Sequence, residues 1–194
     1  MVILAQRQIN INRLVSIFMA AFLIGCYDFN TVENTDKDLS IVNGLVFYKG
    51  KPFTGKLKQE ILPMNEIHIS EYKDGAEDGE YTAKKKDGSL LERRYFKAGV
   101  KEGIHRSWFP NGKDRLYSEF KNGTYINDRW EWHDNGVPAL YERYNENGNI
   151  LVTKKWRRTG QIYMNLSFLE NGGSIGLPGS KICEPIKSTI KKGE

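Results

Sequence analysis

Through the middle of the chain, apolar and aromatic positions recur against a charged background with a fixed step of 24 residues. Tyr72, Phe96, Phe120, Tyr144 and Phe168 keep that step, as do Trp108, Trp132 and Trp156. Glycines keep it in two series: Gly75, Gly99 and Gly123, and Gly88, Gly112, Gly136 and Gly160. Registers in such agreement mark a repeat architecture, in which each unit buries its apolar face on the next.

Residues 103–126 (GIHRSWFPNGKDRLYSEFKNGTYI) serve as the template unit. Two short polar-aromatic runs end in Asn111-Gly112 and Asn122-Gly123. Asx-Gly pairs there predict tight hairpin turns, because both residues tolerate positive φ. Asp87-Gly88 and Asn135-Gly136 repeat the signal, and Thr159-Gly160 keeps the glycine. Each unit reads as two strands of about seven residues, with no useful helical spacing. Alternation puts Leu116 with Phe120, Leu140 with Tyr144 and Met164 with Phe168 on one face, expected to be buried. Tyr117, Tyr141, Glu119 and Arg143 fall on the other. Burying one Phe or Leu contributes about 1.5–3 kcal/mol, too little for a lone hairpin to offset its chain entropy. The expected fold is all-β: an extended antiparallel meander of about five stacked hairpins with the 24-residue period, preceded by a signal-peptide helix. Residues 44–78 read as a divergent opening unit, broken around Pro63 by a cap or bulge. Asn127 stands where Gly79 and Gly103 open their units, which predicts a looser or shifted turn.

The N-terminus is a separate object. Arg7 and Arg13 precede an apolar run of 11 residues, Leu14–Ile24, interrupted by Ser16. A bilayer span needs ~20 residues, so the run fits the apolar region of a secretory signal peptide. It ends in Leu23-Ile24-Gly25-Cys26, which resembles the lipobox of bacterial lipoproteins, where the cysteine is lipidated. The resulting division is residues 1–25 as lipoprotein signal peptide, 26–43 as flexible tether, 44–171 as repeat domain and 172–194 as C-terminal cap or tail. This places the protein in the bacterial cell envelope, anchored through Cys26 on the extracytoplasmic side of a membrane. Cys183 is then a lone thiol, buried or free to pair with another molecule. Without lipidation, a Cys26–Cys183 disulfide stays open.

Without Arg7 and Arg13, 27 basic residues face 24 acidic ones. That interleaved excess is no nucleic-acid footprint, which needs a clustered basic face. Gly-x-Ser-x-Gly, His-Glu-x-x-His and phosphate-loop motifs are missing, so no enzyme and no cofactor are expected. His68, His105 and His133 differ in position within their units and form no repeated ligand set, so no metal is expected. His105 and His133 lie on neighbouring units, where they would share a surface. Glu119, Glu131 and Asp134 read as solvated face residues.

Equal register sets Trp108, Trp132 and Trp156 in a row, about 10 Å apart with two strands per unit. Trp130 and His133 add to the third unit. In one reading each Trp is the bulky residue its unit needs for packing. In the other, the row is an exposed aromatic ladder for a protein or a sugar. Lys84, Arg106, Arg129, Lys155 and Arg157 flank it, ready for acidic groups of a partner.

The series Gly103…Trp108…Asn111-Gly112…Phe120-Lys121-Asn122-Gly123 resembles the MORN repeat in its bacterial variant form. Phe47-Tyr48-Lys49-Gly50-Lys51-Pro52-Phe53-Thr54-Gly55 is similar to the opening of bacterial proteins carrying the YwqK-type antitoxin label. The resemblance covers roughly residues 44–170 and departs from the pattern at Lys84, Asn127 and Thr159. It implies extended sheets of successive hairpins, protein contacts, self-association and lipid binding. The expected function is a non-enzymatic lipoprotein whose sheet meets a protein partner or a second copy through Trp108, Trp132 and Trp156. An envelope glycan-binding module and an antitoxin or immunity-type protein are the alternatives.

Overall fold

The structure, a computed structural model, describes residues 30–179. The signal-peptide helix, Cys26 and Cys183 lie outside the described residues. The chain is all-β. Its strands are β1 (Thr31–Glu33), β2 (Leu39–Val42), β3 (Leu45–Tyr48), β4 (Lys51–Pro52), β5 (Gly55–Ile61), β6 (Glu66–Lys73), β7 (Ala76–Lys85) and β8 (Leu90–Lys97). They continue as β9 (Val100–Lys101), β10 (Gly103–Trp108), β11 (Asp114–Lys121), β12 (Thr124–Trp132), β13 (Pro138–Tyr144), β14 (Ile150–Trp156), β15 (Ile162–Phe168) and β16 (Ser174–Leu177). From β5 to β16 they form one antiparallel meander in chain order, with β9 as a short extension on β8. Five hairpins make up the array: β5–β6, β7–β8, β10–β11, β12–β13 and β14–β15. Elements in extensive contact are sheet neighbours only, and the small sheet meets the array at its first hairpin, where Val46 and Phe53 pack with Leu57 and Tyr72.

The expected tether and opening unit need correction. Residues 31–42 are not a flexible tether. β1 pairs in parallel with β5, and β2 joins β3 and β4 in a separate three-stranded sheet. Val32, at 6% exposure, forms a small core with Val46 and Phe53. A single buried valine in a polar stretch leaves no periodicity to read. The array itself starts at β5, and residues 44–52 belong to the small sheet. The break around Pro63 is the β5–β6 loop, a 3-10 turn over Leu62–Met64 that ends on left-handed Asn65.

The hairpin turns are of two kinds that alternate along the array. At one end, Asp74-Gly75, Ala98-Gly99 and Asn122-Gly123 have positive φ at both residues. These are the tight two-residue turns that the sequence predicts. At the other end, Gly88, Gly112, Gly136 and Gly160 alone are left-handed. There each glycine N–H donates to the carbonyl three residues back, as in Gly112 to Phe109 at 2.8 Å, closing a three-residue loop. So Asp87, Asn111 and Asn135 do not need positive φ. Instead Asn111 and Asn135 donate from Nδ2 to the carbonyls of Asp134 (3.3 Å) and Arg158 (2.8 Å), in the next unit's turn.

Hydrogen bonds also tie each unit to the one before it. Gly75, Gly99 and Gly123 donate their N–H groups to Phe53, Glu77 and Lys101 of the preceding unit, at 2.8, 2.7 and 2.8 Å. Beside them, Asp74, Ala98 and Asn122 donate to the side chains of Thr54, Asp78 and Glu102. The next acceptor position holds Ile126, which has none, and there the turn becomes a longer loop closed at Gly148. Asn127 does not loosen its unit. It takes the left-handed conformation at φ 54, as Gly103 does at 68, and Asn tolerates it well.

Alternation assigns two faces. The inner face carries one unbroken cross-strand row: His68, Ala83, Glu92, Ser107, Leu116, Glu131, Leu140, Lys155 and Met164. Beside it lie Ser118, Arg129, Glu142 and Thr153, then the aromatic row Phe96, Phe120 and Tyr144. This is the face expected to be buried, and His105, Ser107, Ser118, Phe120, Tyr144 and Thr153 are buried on it. The stripe fades toward the end of the array, where Phe168 is 39% exposed. The outer face carries the row Arg93, Arg106, Tyr117, Trp130, Tyr141 and Lys154.

Candidate functional site

Trp108, Trp132 and Trp156 do occupy equivalent ladder positions. Each follows a β-bulge and faces Asp114, Pro138 and Ile162 respectively. All three are half-buried. They do not form an even row, however. Trp130 gathers two of them, with ring centroids 5.9 Å from Trp132 and 6.3 Å from Trp156, both at 18° between planes. Tyr141 completes the cluster, 4.3 Å from Trp130. Trp108 stands apart, under the guanidinium of Arg106, which also lies over Tyr117. The sequence carried the signal for Trp130: it is two residues from Trp132 on one strand, hence on the same face.

The flanking cations divide between faces. Arg106 belongs to the outer face, ion-paired to Asp114 at 3.1 Å, and Arg157 lies over the Tyr163 ring at 5.4 Å. Arg129 and Lys155 are on the inner face instead, because Arg129 registers with Ser118 and Glu142, and Lys155 with Leu140. Arg129 binds Glu142 at 2.7 Å and also contacts Glu131. Glu131 is therefore no free surface acid. Glu119 accepts from Tyr117 at 2.8 Å, and Asp134 pairs with Arg158.

The histidines do not converge. His105 is buried between Phe96 and Phe120 and donates from Nε2 to the Tyr95 carbonyl at 2.8 Å. His133 sits at the far turn and donates to the Trp156 carbonyl. His68 donates from Nε2 to Glu66 at 2.9 Å and accepts the Tyr81 hydroxyl on Nδ1 at 3.0 Å. Among the described residues, no group of three or more His, Cys, Asp or Glu is placed to hold a metal ion.

Burial and a neighbouring carboxylate shape the phenols. Burial, then a hydrogen bond to Glu119, pushes Tyr117 up to about 12. Burial and Glu142 do the same for Tyr144, also to about 12. A folded-state value above the unfolded one means stability that is complete below pH ~10 and lost as pH climbs through about 12. His105 works at the other end. Burial lowers it, so the stability it contributes falls away as pH drops below ~6.5. Denaturation midpoints measured across pH are expected to fall on both sides. Phenolate absorbance should rise late, with at least two tyrosines titrating above their unfolded range.

No protein-family model matches the chain, and comparison with curated proteins finds no match.

Proposed function

We propose that the chain is a non-enzymatic, membrane-anchored repeat lipoprotein of the bacterial cell envelope that offers its outer face to a protein partner. The observation that carries this is the cluster of Trp130, Trp132, Tyr141 and Trp156 on a face with no second layer. Large rigid aromatics bordered by arginine are what binding hot spots are made of. Hydrogen bonds to Asp128 and Glu119 hold the phenols of Tyr141 and Tyr117 in place, so little side-chain entropy is lost on contact. Anchoring rests on the lipobox-like Leu23–Cys26, and the family reading on the MORN-like turns. The non-enzymatic reading rests on the sequence, which carries no Gly-x-Ser-x-Gly, His-Glu-x-x-His or phosphate-loop motif.

The test is cross-linked capture from intact envelopes, followed by affinity measurement on the captured protein. Trp130→Ala/Trp132→Ala, checked for folding by circular dichroism, is expected to weaken binding about tenfold or more. Trp108→Ala is expected to weaken it far less. Equal binding by all three forms would remove the outer face from the proposal. The nearly parallel rings of Trp130, Trp132 and Trp156 favour a second reading, stacking on sugar rings. Under it, peptidoglycan fragments shift the tryptophan fluorescence and no protein is captured.

A further inference from the structure

The repeat supplies an internal control for the inner face. Residues at one position of every unit meet the same backbone, so a departure at one unit has a local cause. At the position filled by Glu131 and Lys155 in the later units, the earlier ones have Ala83 and Ser107, only 3% and 7% exposed. At the position filled by Leu116, Leu140 and Met164, the first regular unit has Glu92. These departures adjoin in the ladder, where Glu92 lies between Ala83 and Ser107. They open a cleft of about 370 Å³ whose lining includes Ala83, Ser107 and Glu92. Long side chains at 131 and 155 occupy the corresponding space farther along.

The lining has a definite charge balance. Glu66 is taken by His68, at 2.9 Å, and Arg94 by Glu92, at 2.6 Å. Arg94 also lies over the Tyr81 ring at 5.3 Å. Lys85 and Arg115 line the same cleft and make no salt bridge among the described residues. Lys85 is directly across the ladder from Glu66, but the carboxylate is turned to the imidazole. Lys85, Arg94 and Arg115 against Glu66 and Glu92 leave one net positive charge around a cleft with an apolar wall of Leu91, Leu116 and Trp108. The second oxygens of Glu66 and Glu92 remain as hydrogen-bond acceptors.

We propose that this cleft binds a small carboxylic acid, with Lys85 and Arg115 holding the carboxylate and Trp108 covering an apolar or ring portion. The volume is near the low end for small-ligand sites, which suits a dipeptide or a single acidic sugar. Hydroxyl or ammonium donors on the ligand meet Glu66 and Glu92. The site is on the opposite face from the Trp130 cluster, and stands or falls separately from it.

Isothermal titration calorimetry on the full chain in non-ionic detergent tests this, with alanyl-alanine, alanyl-alaninamide, glucuronate and inorganic phosphate as probes. The dipeptide, glucuronate or both are expected to bind, and which one does identifies the source of the carboxylate. The amide is expected to bind at least tenfold more weakly than the dipeptide if the dipeptide is the ligand. Lys85→Gln/Arg115→Gln, two substitutions at sites free of salt bridges, is expected to lose about tenfold or more in affinity. Arg143→Gln, on the outer face farther along the array, should leave binding unchanged. Any of three results overturns the proposal: neither acid binds, phosphate binds as tightly as the better acid, or the double variant binds like the parent.

Discussion

Replacing Phe120 with alanine is expected to lower stability by about 3–5 kcal/mol, the range for truncating a buried phenylalanine. Phe120 is 5% exposed. Its ring lies 4.6 Å from His105 and 4.4 Å from Tyr125, and Lys101 stands over it at 5.1 Å. Tyr125 in turn stacks on Tyr144 at 5.2 Å, so the loss propagates into the next unit. In a one-dimensional array each unit is held mainly by its neighbours, and a weakened central unit uncouples the two halves. The urea transition should therefore broaden as well as move. Phe168→Ala is the matched control, at the same repeat position but 39% exposed. It should cost about 1 kcal/mol or less. Equal losses at the two sites would show that chemistry, not burial, decides the aromatic row.

Those two phenylalanines also show what the sequence contains. Period and alternation place both on one face, and the structure agrees. What differs is how far the sheet continues around each, and no local pattern carries that. The turns were legible for the same reason as the strands: glycine fixes left-handed backbone, and it recurs. Their two forms were not, because the choice depends on partners 20 to 24 residues away, such as Glu102 for Asn122 and Arg158 for Asn135. β1 leaves no pattern because its anchoring is one valine, the Glu33–Lys58 ion pair and a run of backbone hydrogen bonds, to which any sequence contributes. Trp108, Trp132 and Trp156 share one repeat position in the sequence and equivalent ladder positions in the structure. The cluster's centre, Trp130, belongs to no period, so the repeat itself does not single it out. The cleft between Ala83 and Ser107 was hidden most deeply, because small residues look like weak positions until the ladder sets them side by side.

Arg129 is the clearest case of a charge that sequence alone places on the wrong side, and its removal is expected to cost about 3 kcal/mol. Its side chain is 22% exposed and that of Glu142 is 12% exposed. Around the pair, Tyr144 donates to Glu142 at 2.6 Å and the guanidinium lies over Tyr125 at 5.4 Å. Arg129→Met keeps much of the volume and the contact with Tyr125. It leaves Glu142 as a nearly buried anion with one phenol for company, and that is the source of the cost. Adding Glu142→Gln removes the anion while retaining a side-chain oxygen for Tyr144. The double variant is therefore expected to recover most of the stability lost by the single one, as read from urea denaturation near neutral pH. Recovery would locate the energy in the unpaired charge, and would make the pair a requirement of mutual presence rather than a net source of stability. A double variant as weak as Arg129→Met would instead assign the loss to the arginine's packing against Tyr125. In that case the inner face would be held by its aromatic row, with the ion pair a passenger on it.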